Sequence, residues 1–289
     1  MIHISDIQIR DPFIVTDKPN NCYYLCGSTD ADVWYTGVSF LGYKSYDLIN
    51  FEGPYTLFEN TPDFWAEKNF WAPEIHFYKG KYYMLATFYS EEVGRATQIL
   101  CSDTPLGKYT LISDSPATPK GWTCLDGTLY VDDKNNPWIV FCREWVEVTD
   151  GEIWCQQLSA DLTYAVGEPE LLFRASQSGW AEPIEAKDKK AYVTDGPFIY
   201  TTKNGQLLLL WSSFINNSYT IGIASPKNNK IDGEYEHIGS LYAEDGGHGM
   251  VFTDLNDDLF LSIHKPNNTP NERALFLPLK DTGDTLELL

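Results

Sequence analysis

The feature that most limits the possible folds is a series of short apolar segments bounded by Gly, Asn, Asp and Pro. Five of them each follow a turn-like pair of residues, such as Lys79-Gly80 or Asn204-Gly205. Runs of this length are typical of β-strands, whereas helical periodicity is hard to find. The sequence therefore predicts an all-β fold. The five segments are residues 22–26, 81–88, 137–142, 206–213 and 258–264.

A longer repeat is superimposed on these segments. A short strand with a polar first residue precedes each segment, and the five strand starts lie 63, 52, 69 and 53 residues apart. Further strand-like pieces follow, such as residues 33–40. Blades of a β-propeller repeat about every 40 to 60 residues. We predict a five-bladed β-propeller with about four antiparallel strands per blade. The polar starts are Asp11, Glu74, Asp126, Asp195 and His248.

The propeller has one structural competitor, a β-sandwich or barrel in which Asp-Gly and Asp-Pro are only turn residues. Recurrence of acids at the same phase of a repeat favours the propeller. We expect one domain over residues 1–289, since no linker rich in Pro, Gly or Ser divides the chain. We also expect residues 285–289 to form a final strand that seals the ring.

Carboxyl groups that converge on one pocket point to glycoside hydrolysis. The first strand of each blade lines the central channel, so the polar starts should meet at one end of it. Cleavage of a glycosidic bond needs one protonated carboxyl group as proton donor and one carboxylate that activates water or attacks carbon. A third acid nearby can raise the pKa of its neighbour.

Charge and composition narrow the class of partner. The chain has 41 Asp and Glu against 21 Lys and Arg, a net charge of −20, which disfavours nucleic acid and anionic membranes. No apolar run is long enough to span a bilayer. Six cysteines without a CxxC pair argue against structural zinc and for free buried thiols. Carbohydrate is the expected partner, and the oligomeric state is left open.

The N-terminus bears on the compartment. Residues 1–10 lack a basic segment followed by an apolar stretch. We expect a cytoplasmic protein, or a secreted one if a leader has been removed.

Aromatic residues make up 15% of the chain. Most must fill the sheet cores, but a few precede the polar starts and could stack on sugar rings. These candidates are Trp65, Phe70, Trp71 and Trp122.

Several motifs of the sequence together resemble those of a known family. The sequence resembles glycoside hydrolase family 43, the five-bladed propellers that include β-xylosidases, α-L-arabinofuranosidases and arabinanases. The matching motifs span nearly the whole chain in the family's order. They are I-R-D-P-F (9–13), Y-D-L-I-N-F (46–51), W-A-P-E-I (71–75) with G-K-Y-Y (80–83), L-D-G (125–127), D-G-P-F (195–198) and G-H-G (247–249).

The resemblance implies an inverting mechanism with three carboxyl groups. Asp11 would be the general base, Asp126 the acid that tunes the pKa and orients the donor, and Asp195 the proton donor. The family's usual motif is E-G-P-F, with Glu where this chain has Asp195, and aspartate is about 1.5 Å shorter. Glu185 or Glu144 are therefore alternative donors.

The resemblance also implies the surroundings of the three acids. Sugar contacts would come from Trp71, Phe198, Arg273 and the rim residue Glu74. For Arg273, a surface ion pair is the competing interpretation. No cofactor is required, but His248 would lie near a structural cation, commonly calcium.

The implied activity is removal of terminal arabinofuranosyl, xylosyl or galactofuranosyl residues from plant-type saccharides. The alternative is a catalytically silent sugar-binding propeller. A related fructosidase or phosphorylase is disfavoured, since phosphorolysis needs a basic phosphate site and only Arg10, Arg143 and Arg273 lie near the acids in sequence.

Overall fold

Five antiparallel sheets surround a central channel. The computed structural model describes residues 1–29, 32–35, 39–186 and 189–289. The first strand of each sheet faces the channel and contacts the first strands of the sheets on either side, which closes the ring. The predicted all-β, five-bladed propeller is therefore confirmed.

The first two blades are built from consecutive strands, apart from one short N-terminal strand. That strand, β1, pairs with the outermost strand of the first blade. The first blade contains β1 (Ile2–His3), β2 (Arg10–Asp17), β3 (Cys22–Ser28), β4 (Ser39–Ser45) and β5 (Asn50–Glu59). The second blade contains β6 (Lys68–Tyr78), β7 (Lys81–Ser90), β8 (Gly94–Ser102) and β9 (Thr110–Leu111).

A small hairpin separates the third blade from the fourth. The third blade contains β10 (Cys124–Val131), β11 (Pro137–Arg143), β12 (Glu152–Leu158) and β13 (Ala165–Arg174). The hairpin contains β14 (Ile184–Ala186) and β15 (Lys189–Ala191). Helical structure in the described residues is limited to single turns, at Ile4–Asp6, Trp145–Val148 and Ala175–Ser178.

The last two blades repeat the same four-stranded order. The fourth contains β16 (Asp195–Thr201), β17 (Leu207–Ile215), β18 (Ser218–Pro226) and β19 (Tyr235–Tyr242). The fifth contains β20 (Gly247–Thr253), β21 (Leu259–Lys265), β22 (Arg273–Asp281) and β23 (Leu286–Leu288). All five apolar segments identified in the sequence form the second strand of a blade.

One strand expectation was wrong in position. Residues 33–40 were predicted to be a strand of the first blade, but residues 32–35 form a turn and the third strand begins only at Ser39. The part of the prediction at 36–38 lies outside the described residues. A turn here carries Trp34 and Tyr35 to the surface, where both side chains are exposed.

Phenylalanine-rich packing accounts for many of the aromatic residues. Five Phe rings from the first two blades lie within 4.8–6.4 Å of one another, mostly edge to face. Edge-to-face pairs are a favourable geometry for buried rings. This cluster fixes the two blades against each other. Its members are Phe40, Phe58, Phe64, Phe70 and Phe88.

The first and last blades meet at a seam held by side chains rather than by a shared sheet. Arg10 Nη1 lies 2.7 Å from Glu272 Oε1, and the Glu272 side chain is fully buried. Ser262 Oγ donates to the Pro12 carbonyl at 2.7 Å. The final strand expected within residues 285–289 is formed, but the expectation that it seals the ring was wrong. Leu286–Leu288 pair with β22 and form the outer edge of the fifth blade, because the seam is already covered by these contacts.

Within the described ranges, no helix has the length and apolar character needed to cross a bilayer.

Candidate active site

Every inner strand has a β-bulge near its start, at the same end of the channel. The strand register shifts by one residue at each bulge, and the second blade has an additional shift nearer the start of its inner strand. The bulge residues all have φ between 45° and 56°. Left-handed backbone costs free energy in residues other than glycine, and such strain clusters at functional sites. The five bulge residues are Asp11, Ala72, Asp126, Gly196 and His248.

These bulges correct the equivalence that the sequence suggested. Glu74 lies two residues after the bulge residue Ala72, and Asp195 lies one residue before Gly196. Neither occupies the position that Asp11 takes in the first blade. Asp195 still lines the same cavity as Asp11, and nothing in the polar pattern marks where the bulge inserts its extra residue.

Side chains of the preceding blade accept the backbone N–H of four bulge residues. The four acceptors share one position, in the second strand of their blade, opposite the residue that precedes that blade's own bulge. Each bond holds a strained bulge in place. The pairs are Ala72 to Ser28 at 2.8 Å, Asp126 to Thr87 at 2.8 Å, His248 to Ser212 at 2.9 Å and Asp11 to His264 Nδ1 at 3.1 Å.

The fifth acceptor position is different. It is occupied by Cys142, which pairs with Leu125 in the ladder and is fully buried. A thiol is a weak hydrogen-bond acceptor. The Gly196 N–H instead donates to Oδ2 of Asp126 at 3.0 Å. One catalytic candidate thus holds the backbone beside another.

A cavity of about 610 Å³ opens above the bulges. Its lining brings together the three acids expected to be catalytic, together with His248 and Trp71. The sequence prediction that these side chains converge at one end of the channel agrees with this geometry. The cavity is also lined by residues the sequence did not single out as site residues, among them Arg10, Trp34, Trp145, Phe214, Tyr219 and Thr269.

Asp11 is held as a carboxylate. Its Oδ2 accepts from Ser28 Oγ at 2.8 Å, and its Oδ1 lies 3.2 Å from His248 Nδ1. Burial opposes its charged form, but the charge of His248, the hydrogen bond with His264 and the charge of Arg10 outweigh it, and the pKa of Asp11 falls well below its usual range.

Asp126 and Asp195 have pKa shifts in the opposite direction. Burial raises the pKa of Asp126 to about 6, opposed by the charge of His248 and helped by that of Asp11. Burial raises the pKa of Asp195 to about 7, and the charge of Asp126 adds to the rise. Like charges close together disfavour ionisation of both. The cavity therefore contains an ionised carboxylate and a carboxyl group that keeps its proton near neutral pH.

The site's geometry agrees with a comparison of the whole chain. The model of glycosyl hydrolases family 43 matches residues 4–280. The chain belongs to glycosyl hydrolases family 43. The resemblance inferred from the motifs is therefore confirmed.

Solved structures with this fold include other family 43 enzymes. The chain is similar to an endo-arabinase from Bacteroides thetaiotaomicron VPI-5482, with 40% identity, 99% of each chain covered and a TM-score of 0.90. It shares its fold with an endo-1,4-beta-xylanase from the same organism, at 22% identity over 98% and 94% of the two chains with a TM-score of 0.76. An alpha-L-arabinofuranosidase from Lactobacillus brevis has 15% identity over 98% and 96%, with a TM-score of 0.77.

The predicted sugar contacts of this family 43 chain fall into two groups. Trp71 lines the cavity, and its Nε1 donates to the Val33 carbonyl at 2.7 Å. Glu74, Phe198 and Arg273 are not brought to the cavity lining. Glu74 is buried against His76, with 2.8 Å between Oε2 and Nε2, because it lies below the bulge on the channel side.

The other two residues also have contacts away from the cavity. Phe198 packs against Phe13 within the channel, with ring centroids 6.3 Å apart. Arg273 donates to three backbone carbonyls, including that of Ser5 at 2.6 Å, and within the described residues it forms no ion pair. Arg10, the residue before Asp11, is the arginine that lines the cavity.

The remaining aromatic candidates are structural. Trp65 donates through Nε1 to Gln98 Oε1 at 3.1 Å and packs on the phenylalanine cluster, to which Phe70 belongs. Trp122 packs edge to face on Trp154, with centroids 4.8 Å apart. All three lie outside the cavity lining.

The two alternative proton donors lie in different surroundings. Glu144 lines the cavity and forms a short ion pair with Arg95. Burial raises the pKa of Glu144 even so. The side chain of Glu185 is 78% exposed and pairs with Lys190 at 3.6 Å, outside the cavity lining.

The wall beside Asp11 alternates arginine and tryptophan. The Arg95 guanidinium lies 4.4 Å from the centroid of Trp71, whose ring packs edge to face on Trp34 at 5.3 Å. Arg10 lies 5.0 Å from the ring of Trp34 on the other side. Each guanidinium is anchored by a buried glutamate, Glu144 or Glu272. Cation–π contacts of this kind orient the indole rings.

His248 does not make up a calcium site with its protein neighbours. Its Nδ1 lies between Asp11 Oδ1 at 3.2 Å and Asp126 Oδ2 at 3.7 Å. Burial lowers the pKa of His248, but these two carboxylates outweigh burial and raise it. Calcium takes six to eight oxygen ligands, whereas His248 offers one remaining nitrogen. Within the described residues, no group of three or more His, Cys, Asp or Glu side chains is arranged to hold a metal.

Proposed function

We propose that this family 43 hydrolase cleaves arabinofuranosyl linkages by a single displacement with inversion. The observation that carries the proposal is that Asp11, Asp126 and Asp195 line one cavity, in which the pKa of Asp11 is shifted down and that of Asp195 up. Pairs of carboxyl groups whose environments push their pKa values apart divide naturally into base and acid. The 40% identity to an endo-arabinase supports the choice of sugar.

The roles follow from the contacts of each acid. Asp11 takes a proton from water as that water attacks the anomeric carbon. Asp195 gives its proton to the leaving glycosidic oxygen, so the bond to carbon breaks without a free alkoxide. Asp126 holds the Gly196 N–H, and its charge helps Asp195 stay protonated until the transfer.

Removal of terminal residues is our proposal for the mode of attack. Trp34 Nε1 donates to Thr269 Oγ1 at 3.2 Å, which joins loops of the first and fifth blades beside the cavity. A cavity bounded on this side favours a chain end as substrate, whereas the similarity to an endo-arabinase favours internal cleavage. Linear arabino-oligosaccharides of defined length test the proposal. Release of monomer alone supports it, and release of internal fragments overturns it.

The test of the reaction is a panel of 4-nitrophenyl glycosides with arabinofuranosyl, xylosyl and galactofuranosyl groups. We expect turnover of the arabinofuranoside, lowered about 10³-fold by Asp11→Asn, since a positioned base contributes about 10² to 10⁴. Asp133→Asn, at an exposed aspartate, is the matched control and should keep full activity. Proton NMR of fresh product should show the inverted anomer, and a retained anomer would remove Asp11 as base.

A second candidate is a catalytically silent sugar-binding propeller. Asp195, where the family's usual motif has glutamate, is the observation that favours it. Binding of the oligosaccharides by calorimetry, with no turnover anywhere in the panel, would establish this alternative.

A further inference from the structure

We propose that Tyr219 is a positioning residue that occupies one oxygen of the Asp195 carboxyl group and thereby confines the transferable proton to the other. This inference rests on the proposed function, in which Asp195 is the proton donor. It concerns a side chain that touches the donor and lines the cavity.

The hydroxyl of Tyr219 is directed at a single atom of Asp195. It donates to Oδ2 at 3.0 Å, and this is the one hydrogen bond to that carboxyl group within the described residues. Oδ1 has no hydrogen-bond partner there, and the Asp195 side chain lines the cavity. A proton on Oδ2 would compete with the tyrosine hydrogen, so the protonated form of Asp195 carries its proton on Oδ1.

The position of the Tyr219 ring is built into the fold. The residue is 2% exposed, in the third strand of the fourth blade, and a Cβ at Gly247 would lie 2.3 Å from its ring. Glycine at 247 therefore makes the room the ring occupies. The ring also stacks on His264, with centroids 5.6 Å apart and planes 24° apart.

Through His264, the same ring is joined to the general base. His264 Nδ1 accepts the backbone N–H of Asp11 at 3.1 Å, and its Nε2 lies 3.4 Å from Asn267 Oδ1. The same Nδ1 lies 3.4 Å from Asp11 Oδ1, so His264 contacts both the backbone and the carboxyl group of Asp11. Asp195 thus contacts the Tyr219 side of the stacked Tyr219–His264 pair, and Asp11 contacts the His264 side.

Tyr219 donates its hydrogen bond at every pH at which the enzyme would work. Its hydroxyl is surrounded by Asp195, Asp11 and Asp126, with Arg10 as the opposing cation. Burial and these three carboxylates raise the pKa of Tyr219 well above its ordinary value. The tyrosine therefore acts only as a donor to Asp195.

This arrangement gives Tyr219 a defined part in the chemical step. As the glycosidic C–O bond breaks, its electron pair goes to the leaving oxygen, which takes the proton from Oδ1. The Asp195 carboxylate that is left behind keeps the Tyr219 hydrogen bond, and hydrogen bonds to charged acceptors are stronger than those to neutral ones. Tyr219 therefore favours the products of proton transfer and fixes its direction.

The experiment compares leaving groups that need proton donation with one that does not. Arabinofuranosides with a sugar leaving group and with 2,4-dinitrophenolate are the two substrates. Asp195→Asn calibrates the assay, since loss of the donor should slow only the sugar leaving group. Equal slowing of both substrates by Asp195→Asn would overturn the proposed function itself.

Given that calibration, Tyr219→Phe decides the inference. We expect kcat for the sugar leaving group to fall about 10- to 100-fold, with KM and the dinitrophenyl rate unchanged within about twofold. Tyr109→Phe is the matched control, since it removes one hydroxyl hydrogen bond of a buried tyrosine outside the cavity lining. Wild-type rates of Tyr219→Phe on both substrates, or losses of the same size on both, would overturn a role in proton positioning.

A second variant guards against failure of Tyr219→Phe to fold. Gly247→Ala keeps the hydroxyl but displaces the ring that carries it. It should show the same selective loss with the sugar leaving group, and a wild-type profile from a folded Gly247→Ala protein would contradict the proposal.

Discussion

Asp126 and Gly196 are joined by a hydrogen bond of 3.0 Å from the glycine N–H to the aspartate Oδ2, one residue after the proposed proton donor. In the other blades, a side chain from the second strand of the preceding blade fills this acceptor role. In the third blade that position holds Cys142, a weak acceptor. The cysteine therefore leaves the Gly196 N–H to Asp126.

Replacement of Cys142 by serine should disturb this division of roles. The introduced hydroxyl would compete with Asp126 for the Gly196 N–H, just as Ser28 and Ser212 accept the N–H of a bulge residue in the next blade. The hydrogen bond between Gly196 and Asp126 would then be weakened. We expect kcat to fall about 3- to 10-fold with little change in thermal stability, a range set by the roughly 1 kcal/mol of one hydrogen bond. Cys155→Ser, at a fully buried cysteine outside the cavity lining, is the control for activity. An unchanged kcat for Cys142→Ser would show that Asp126 does not act through this bond.

The rate should fall on the alkaline side of neutrality. Asp195 must be protonated to act, and burial with the charge of Asp126 raises its pKa to about 7. Asp11 must be ionised, and its pKa lies well below the usual range, so it meets this condition throughout the neutral range. We expect kcat/KM to decline with a midpoint near pH 7 as the pH rises. A profile that still increases above pH 8 would exclude Asp195 as the donor.

The same shift links Asp195 to stability. Its folded-state pKa lies above the unfolded value, so the unfolded chain releases the proton first and stability is lost as pH rises toward about 7. Asp195→Asn removes this loss. The stability gained by the variant should be larger at pH 8 than at pH 5 by roughly 2 to 3 kcal/mol, measured by urea unfolding. An equal gain at both values would contradict a raised pKa.

Glu144 is expected to stabilise the aromatic wall through Arg95. Both side chains are nearly buried, and loss of one partner leaves a buried charge uncompensated. Glu144→Gln should cost roughly 3 kcal/mol of unfolding free energy and raise KM, because Arg95 packs on Trp71. Glu185→Gln breaks an exposed pair and should have almost no effect. Matching losses in the two variants would be evidence against a special role for the buried pair.

The architecture was predictable because local sequence patterns determine it. Turn pairs such as Asn204-Gly205 and the apolar strands beside them depend on neighbouring residues only, and five repeats of that pattern identify the propeller. Asp11 and Asp126 were found in the same way, since both lie at the start of an inner strand. Their convergence follows from the ring.

The rest of the site depends on contacts that no local pattern records. The polar pattern does not show where each bulge lies, and Asp195 and Glu74 therefore do not occupy the position in their strands that Asp11 has in the first blade. Tyr219 reaches Asp195 from a third strand, in a segment that reads as an ordinary strand of the core. Arg10 joins Glu272 across 262 residues of chain, and only the closed ring brings the two together.

The seam between the first and last blades has a consequence for how the enzyme would fail. Asp11 belongs to the first blade, while His248 and His264, which contact it, belong to the fifth. No strand ladder bridges any two neighbouring blades in the described parts of the chain, but the first and last blades are also not consecutive in sequence, so heat or denaturant can part them while each sheet keeps its own hydrogen bonds. Inactivation would then come before loss of the circular dichroism signal of the sheets, because the ring would open beside Asp11, the proposed general base.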